Sequence, residues 1–373
     1  MESRGAALAL GLAILTVVVF VPAPARAGLT WQGKADMPTA RGYFGVAALN
    51  GKVYVAGGLT EGSPDVATDV VEVYDPGSNN WTTVAAMPGP LWGLVLVGVQ
   101  GKLVAAGGSA NATGPRTSVN TTYVYDPATD RWSNGSSMPG ERIWASGVAV
   151  GGGAEVWGGT GPGEFGFPTA TNTRFSYNVG ADRWTTLQPM PLNLTNFGIA
   201  SVATTAYVTG GWRNIANVSS VPLPAGPWQE VSPMLEGRGG HASTDLDGNV
   251  YAIAGVTANT TEYVPSRTVE AYSPANDTWW RVADYPEPAH SLGAVRVGST
   301  LYAMGGTIGT ASLRTVYALA PGTSPAPPPP SQPPWALIGI AVAVAVILLI
   351  AVAAMLWRSR RRPPAPEVPP KPA

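Results

Sequence analysis

The sequence predicts an all-β fold, a six-bladed propeller closed by its own N-terminal strand, with one transmembrane helix following it near the C-terminus. Three observations carry this. A Gly-Gly step recurs about every 50 residues, at Gly57-Gly58, Gly107-Gly108, Gly158-Gly159, Gly210-Gly211, Ala254-Gly255 and Gly305-Gly306, the period of a propeller blade. A tryptophan follows each of the first five, at Trp81, Trp132, Trp184, Trp228 and Trp279. With 46 Gly, 36 Pro and only 12% charged residues, the composition suits short strands and tight turns.

Charge excludes one class of partner. The 373 residues carry 22 basic and 23 acidic side chains, a net charge of -1, and no basic stripe lies outside the extreme C-terminus, so nucleic acid is not expected. There is no cysteine, which rules out a disulfide framework and thiolate chemistry.

The chain ends read as targeting and anchoring segments. Residues 1–27 contain Arg4, an apolar run and Ala25-Arg26-Ala27, the plan of a cleaved signal peptide. Residues 28–320 are the propeller. Residues 321–334 are proline-rich and read as a polyproline stalk reaching roughly 40 Å. Residues 335–357 hold an uncharged aliphatic run between Trp335 and Trp357, long enough to cross a bilayer. Arg358, Arg360, Arg361 and Arg362 follow, so residues 358–373 are expected to be a short basic, proline-rich cytoplasmic tail, with the propeller outside. This is the plan of a single-pass type I protein of the cell membrane.

Within a unit, four strands are legible. In the first, FGVAAL and KVYVA flank the hairpin turn Asn50-Gly51, whose backbone needs positive φ. VVEVYD is the third strand, with Val71 and Val73 expected inward and Glu72 outward, and WTTV is the fourth. The turn DPGSNN between them is reused as DPATDR, NVGADR and SPANDT. Gly-Gly, a Tyr ending the third strand, and Trp seven residues later (Tyr74 to Trp81, Tyr125 to Trp132, Tyr177 to Trp184, Tyr272 to Trp279) resemble Kelch repeats over roughly 28–320. The resemblance implies a six-bladed propeller of four-stranded antiparallel sheets. The fourth unit departs from the pattern, with Leu223 where the Tyr is expected, so its outer edge should be irregular. The sixth lacks a tryptophan, and Trp31 precedes every Gly-Gly; joining the two closes the ring.

Counting back 16 residues from the first member of each Gly-Gly step lands on Arg41, Leu91, Arg142, Leu194, Arg238 and Ala289. In Kelch domains that bind peptides or acidic ligands, arginines at such positions line the central funnel, so the resemblance marks Arg41, Arg142 and Arg238 as candidates for carboxylate recognition. Tyr43, Phe44, Trp92, Trp144 and Phe197 follow the same turns, Trp212 and Arg213 follow the fourth Gly-Gly, and the only two histidines, His241 and His290, share this rim. Arginine interleaved with aromatics suits a glycan or an extended peptide; capped loops and filled blade wedges are the structural alternative. No cofactor or metal is expected, because two histidines without cysteine supply too few ligands. Glu61, Asp65, Glu164 and Glu262 also fall on this rim, with no spacing that singles out an acid–base pair. Eight Asn-x-Ser/Thr sequons, at Asn80, Asn111, Asn120, Asn134, Asn193, Asn217, Asn259 and Asn276, fit an exported surface. The expectation is a cell-surface binding or adhesion module for an extracellular glycan or acidic peptide. A carbohydrate-active enzyme using rim carboxylates, or a structural surface protein, are the alternatives.

Overall fold

The computed structural model describes residues 29–321, apart from 62–64, 113–116, 163–168, 214, 260 and 261. The expected signal peptide, stalk, membrane span and tail lie outside the described residues. Among the described residues there is no helix long and apolar enough to cross a membrane.

Six four-stranded antiparallel sheets form the ring. The first blade is Gly45–Leu49, Lys52–Ala56, Val71–Asp75 and Asn80–Val84, counted from the axis outward. The sixth takes three strands from its own repeat, Gly293–Val297, Thr300–Met304 and Val316–Pro321, and its outer strand from the N-terminus, Leu29–Gly33. Leu29 pairs with Pro321 and Gly33 with Tyr317. The inferred closure is therefore present, and Trp31 does for the sixth blade what a C-terminal tryptophan does for the others.

Those tryptophans are clasps between blades. Each donates its indole N–H to the segment that leaves the preceding blade: Trp81 to Ala35 O, Trp132 to Ala85 O, Trp184 to Ser136 O, Trp228 to Pro189 O, Trp279 to Ser232 O and Trp31 to Ala283 O, at 2.8–3.0 Å. In four blades the turn before the tryptophan adds a second bond. Asn79, Asp130, Asp182 and Asp277 adopt left-handed φ of 46–51°. Their side chains accept from the backbone N–H of Ala35, Ala85, Ser136 and Ser232, and from the hydroxyls of Tyr74, Tyr125, Tyr177 and Tyr272. The Tyr-to-Trp spacing is thus the span of one clasp.

The fourth blade lacks the Tyr-Asx half of the clasp, and its outer strand, Gln229–Val231, is the shortest. Strand register places Val221, not Leu223, where the other blades have the tyrosine, since Ala206 pairs with Val221 as Val53 pairs with Tyr74. The wedge beside it holds a buried ion pair instead. Arg174 meets Glu155 at 2.9 Å and stacks over Trp157 at 4.0 Å, with Trp228 beyond.

The Gly-Gly step has two different backbones. The second glycine sits at φ of 84–140°, a region closed to side chains, whereas the first sits near 60°, as Ala254 itself does at 57°. A Cβ on Gly58 would lie 2.8 Å from Gly42 O and 2.9 Å from Phe44 Cβ; one on Gly57 would lie 2.2 Å from Leu91 O of the next blade. Both positions resist substitution, the second on two grounds. Gly58→Val is expected to lower the melting temperature further than Gly57→Ala, which itself destabilises; equal shifts in a thermal melt would contradict this.

The clasps also set an acid response. Backbone N–H donors first, and tyrosine hydroxyls second, hold Asp130, Asp182 and Asp277 below the ordinary carboxylate range. A depressed folded-state value contributes stability that is present above about pH 4 and drains as pH falls through that range. Replacing all three by Asn, as at Asn79, is expected to flatten the loss of stability between pH 5 and pH 2, read by urea unfolding at each pH.

Candidate functional site

Arg41 and Arg238 do not face the channel: both are wholly buried. Arg41 donates from Nη1 to Gly57 O and Val70 O, at 2.9 Å each, and its Nη2 lies 2.9 Å from Glu72 Oε2. Arg238 repeats this with Ala254 O, Thr268 O and Glu270 Oε1, the last at 2.5 Å. The constant count of 16 is thus the reach from the arginine to the carbonyl of the first residue of its own Gly-Gly step. Glu72 is buried rather than outward, with 1% of its surface exposed, because the carboxylate is needed to balance the guanidinium. Burial pulls both guanidiniums below their usual value, opposed by the paired glutamates. Arg142 has no glutamate opposite; Phe175 stands in that register, and the guanidinium stacks on its ring at 5.1 Å and bonds Thr173 Oγ1 and Glu141 O. These three arginines are internal struts.

Two residues further on, the chain builds the mouth of the central channel. Tyr43, Gly93, Trp144, Asn196, Gly240 and Ser291 all have left-handed φ, from 53 to 64°. Each N–H donates to the carbonyl of its counterpart one blade back: Gly93 to Tyr43, Trp144 to Gly93, Asn196 to Trp144, Gly240 to Asn196, Ser291 to Gly240 and Tyr43 to Ser291, at 2.6–3.1 Å. The circle closes on itself. Sequence reasoning found Tyr43 and Trp144 as aromatics but missed their four partners; a count back of 14 from each Gly-Gly step finds all six.

The ring orients an aromatic arc. His290, Tyr43, Trp92 and Trp144 run edge to face around half the mouth, with centroids 6.0, 5.8 and 5.8 Å apart. Tyr43, Trp144 and His290 are half-buried, while Trp92 is buried and bonds Asn111 O through its indole N–H. Below the arc lies a channel of about 200 Å³, lined by small, aliphatic and aromatic residues with no Asp, Glu, Lys or Arg among them. His241 is in its wall, buried, with Nε2 2.9 Å from Thr209 Oγ1; burial, then the charge of Arg238, pulls it down to about 3, so it is neutral. His290, between Thr307 and Ser291 hydroxyls, is also lowered by burial. Phe44 and Phe197 are wedge residues, Phe44 packing in a cluster with Met37 and Tyr302, and Phe197 with Trp157 and Met190. Trp212, by contrast, is 49% exposed.

Of the acidic candidates, Glu61 accepts from Ser312 N–H and Asp65 is exposed. Glu164 and the side chain of Glu262 lie outside what is described. No three metal-ligating side chains converge among the described residues. The large exposed apolar side chains that the structure does show are Val66, Leu192, Trp212, Leu235 and Val264. All lie in loops before an innermost strand or between second and third strands, hence on the rim of the mouth. Four of these five carried no periodic signal; only Trp212 stood out in the sequence.

The strut predicts an asymmetry. Glu72→Gln, which strands a buried guanidinium, is expected to destabilise by about 3–5 kcal/mol, whereas Asp75→Asn, in the exposed Lys52–Asp75 pair, should change stability little. Adding Arg41→Met to Glu72→Gln should recover only part, since Gly57 O and Val70 O lose their donor. Guanidinium unfolding of the variants reads all three.

Comparison with known proteins agrees with this architecture. The Kelch motif matches residues 40–88, 93–139 and 237–284, the first, second and fifth repeats. The chain is similar to "Kelch-like protein terF" of Aspergillus terreus, 31% identical over 293 residues, covering 72% of this chain and 62% of that protein. It is also similar to human "Kelch-like protein 34", 32% identical over 214 residues (55% of this chain, 32% of that one), and to "Beta-scruin" of Limulus polyphemus, 30% identical over 148 residues (38% and 16%). The chain thus spans less than two thirds of these relatives' lengths. The solved "Structure of YjhT" superposes with a TM-score of 0.66 at 15% identity, covering 76% of this chain and 95% of that one, a likeness of fold alone. Kelch motifs in three of the six repeats, Kelch-protein relatives and the closed ring of six sheets together describe a β-propeller that carries Kelch motifs.

Proposed function

We propose that the propeller is a protein-binding module, held at the cell surface by the C-terminal apolar segment, with its partner on the rim of the channel mouth. One observation carries the reading: among the described residues, the exposed large apolar side chains all lie on that one rim, and apolar surface concentrated on one face marks an interaction site. The aromatic arc adjoins them. A channel lining without carboxylate or arginine favours binding over sugar chemistry, and the aliphatic Val66, Leu192, Leu235 and Val264 suit a polypeptide better than a glycan.

The ends of the described chain lie away from the mouth. The third strand of the sixth blade, Val316–Pro321, runs away from the mouth, and its last residue pairs with Leu29. Leu29 and Pro321, the first and last described residues, therefore both lie at the rim opposite the mouth.

The absence of native cysteine makes the test clean. In the full chain on intact cells, a membrane-impermeant maleimide is expected to label Val66→Cys and not Pro366→Cys. A photo-crosslinker on Val66→Cys is expected to give protein adducts that one on Asn50→Cys, at the opposite rim, does not. Equal adducts at both, or none, would defeat the binding reading; label on Pro366→Cys alone would defeat the topology.

A further inference from the structure

The rim is not uniform: among the described residues the second and fourth blades form no extra hairpin between their second and third strands, and the fourth has the shorter loop. In the first, third, fifth and sixth blades the loop between second and third strands folds into an extra hairpin, as in Leu59–Thr60 with Val66–Ala67 and Val256–Asn259 with Glu262–Pro265. The fourth blade has none among its described residues, and its short loop carries Trp212 and Arg213. Arg213 is exposed and held at φ 68°, a conformation that a long side chain adopts only under constraint.

The constraint is visible. Trp212 N–H donates to Thr195 O, Gly211 N–H to Arg238 O, and the loop's far side takes Met234 N–H on Ala216 O. The loop is therefore stitched to the approach of the fifth blade, where Leu235 is 57% exposed while its N–H is spent on Glu270. Charge adds direction. Glu236 nearby is neutralised by Arg238 and Arg281, whereas Arg213 enters no ion pair among the described residues.

Resting on the protein-binding reading, we infer that the shoulder formed by Trp212, Arg213 and Leu235 docks an extended segment of a partner protein that places a carboxylate beside a bulky apolar residue. Trp212 and Leu235 supply the apolar floor. Arg213 supplies a bidentate donor for the carboxylate, and the missing hairpin leaves the room for a chain to lie across the rim. The site is off the channel axis and uses none of the three strut arginines.

The probe is a phage-displayed library of random peptides, panned against the full-length chain. Enriched peptides are expected to pair Asp or Glu with a neighbouring Leu, Ile, Phe or Trp. Their binding should weaken about tenfold or more in Trp212→Ala and Arg213→Glu, with unchanged melting temperature. Lys in place of the peptide's acid should restore binding to Arg213→Glu. If enriched peptides bind these variants as well as wild type but lose affinity in Tyr43→Ala or Trp144→Ala, the shoulder is wrong and the mouth stands. If no peptide is enriched, both fail.

Discussion

The structure depends on a circle of six backbone hydrogen bonds at the mouth of the channel. Each bond needs its residue in the left-handed region, which for a side-chain-bearing residue costs about 1 kcal/mol, and Tyr43, Trp144, Asn196 and Ser291 all accept that strain. Only the neighbouring blade's carbonyl offsets it, so no blade satisfies its own innermost turn. A circle also has no end, so every donor and acceptor in it is matched and no innermost turn is left open.

A second circle lies close behind, where the N–H of the second residue of each Gly-Gly step meets the carbonyl 16 residues before the next blade's step. At the periphery the indole clasps repeat the logic, each reaching back to the segment that leaves the previous blade. Inner circles and outer clasps tie every blade to its neighbours at two radii. Without disulfides, this redundancy is what makes an N-terminal strand sufficient as a fastener: Leu29–Gly33 needs only to enter a register that Val316–Pro321 already displays, and Trp31 locks it to Ala283 O.

Much of this was legible in the sequence because repeats print their backbone demands at fixed intervals. The Gly-Gly step, the Tyr-to-Trp spacing and the unpaired Trp31 gave blade count and closure. What misled was Glu72, read as outward by strand alternation; the strand is covered on both faces, so period two says nothing about exposure there. Leu223 was misassigned for a related reason: the fourth repeat shortens its turn, and only pairing with Ala206 shows that Val221 holds the register. In the site, the aromatic arc was visible as residue types, but its geometry was not, since four of the six residues of the supporting ring are Gly, Asn and Ser.

The three arginines show why periodicity must be discounted before it is read as function. Anything that recurs in step with the blades answers first to the needs of a blade: Arg41 and Arg238 bond the carbonyl of the first residue of their own Gly-Gly step, and Arg142 is held by Thr173, Glu141 O and the ring of Phe175. A binding surface has the opposite signature, because a partner breaks the six-fold equivalence of the ring. At the positions of Trp212, Arg213 and Leu235 the first repeat has Leu59, Thr60 and Pro88; the three lie where the fourth repeat departs from the pattern and its short loop forms no extra hairpin among the described residues. The irregular blade that looked like a flaw in the repeat is, on this argument, where specificity is carried.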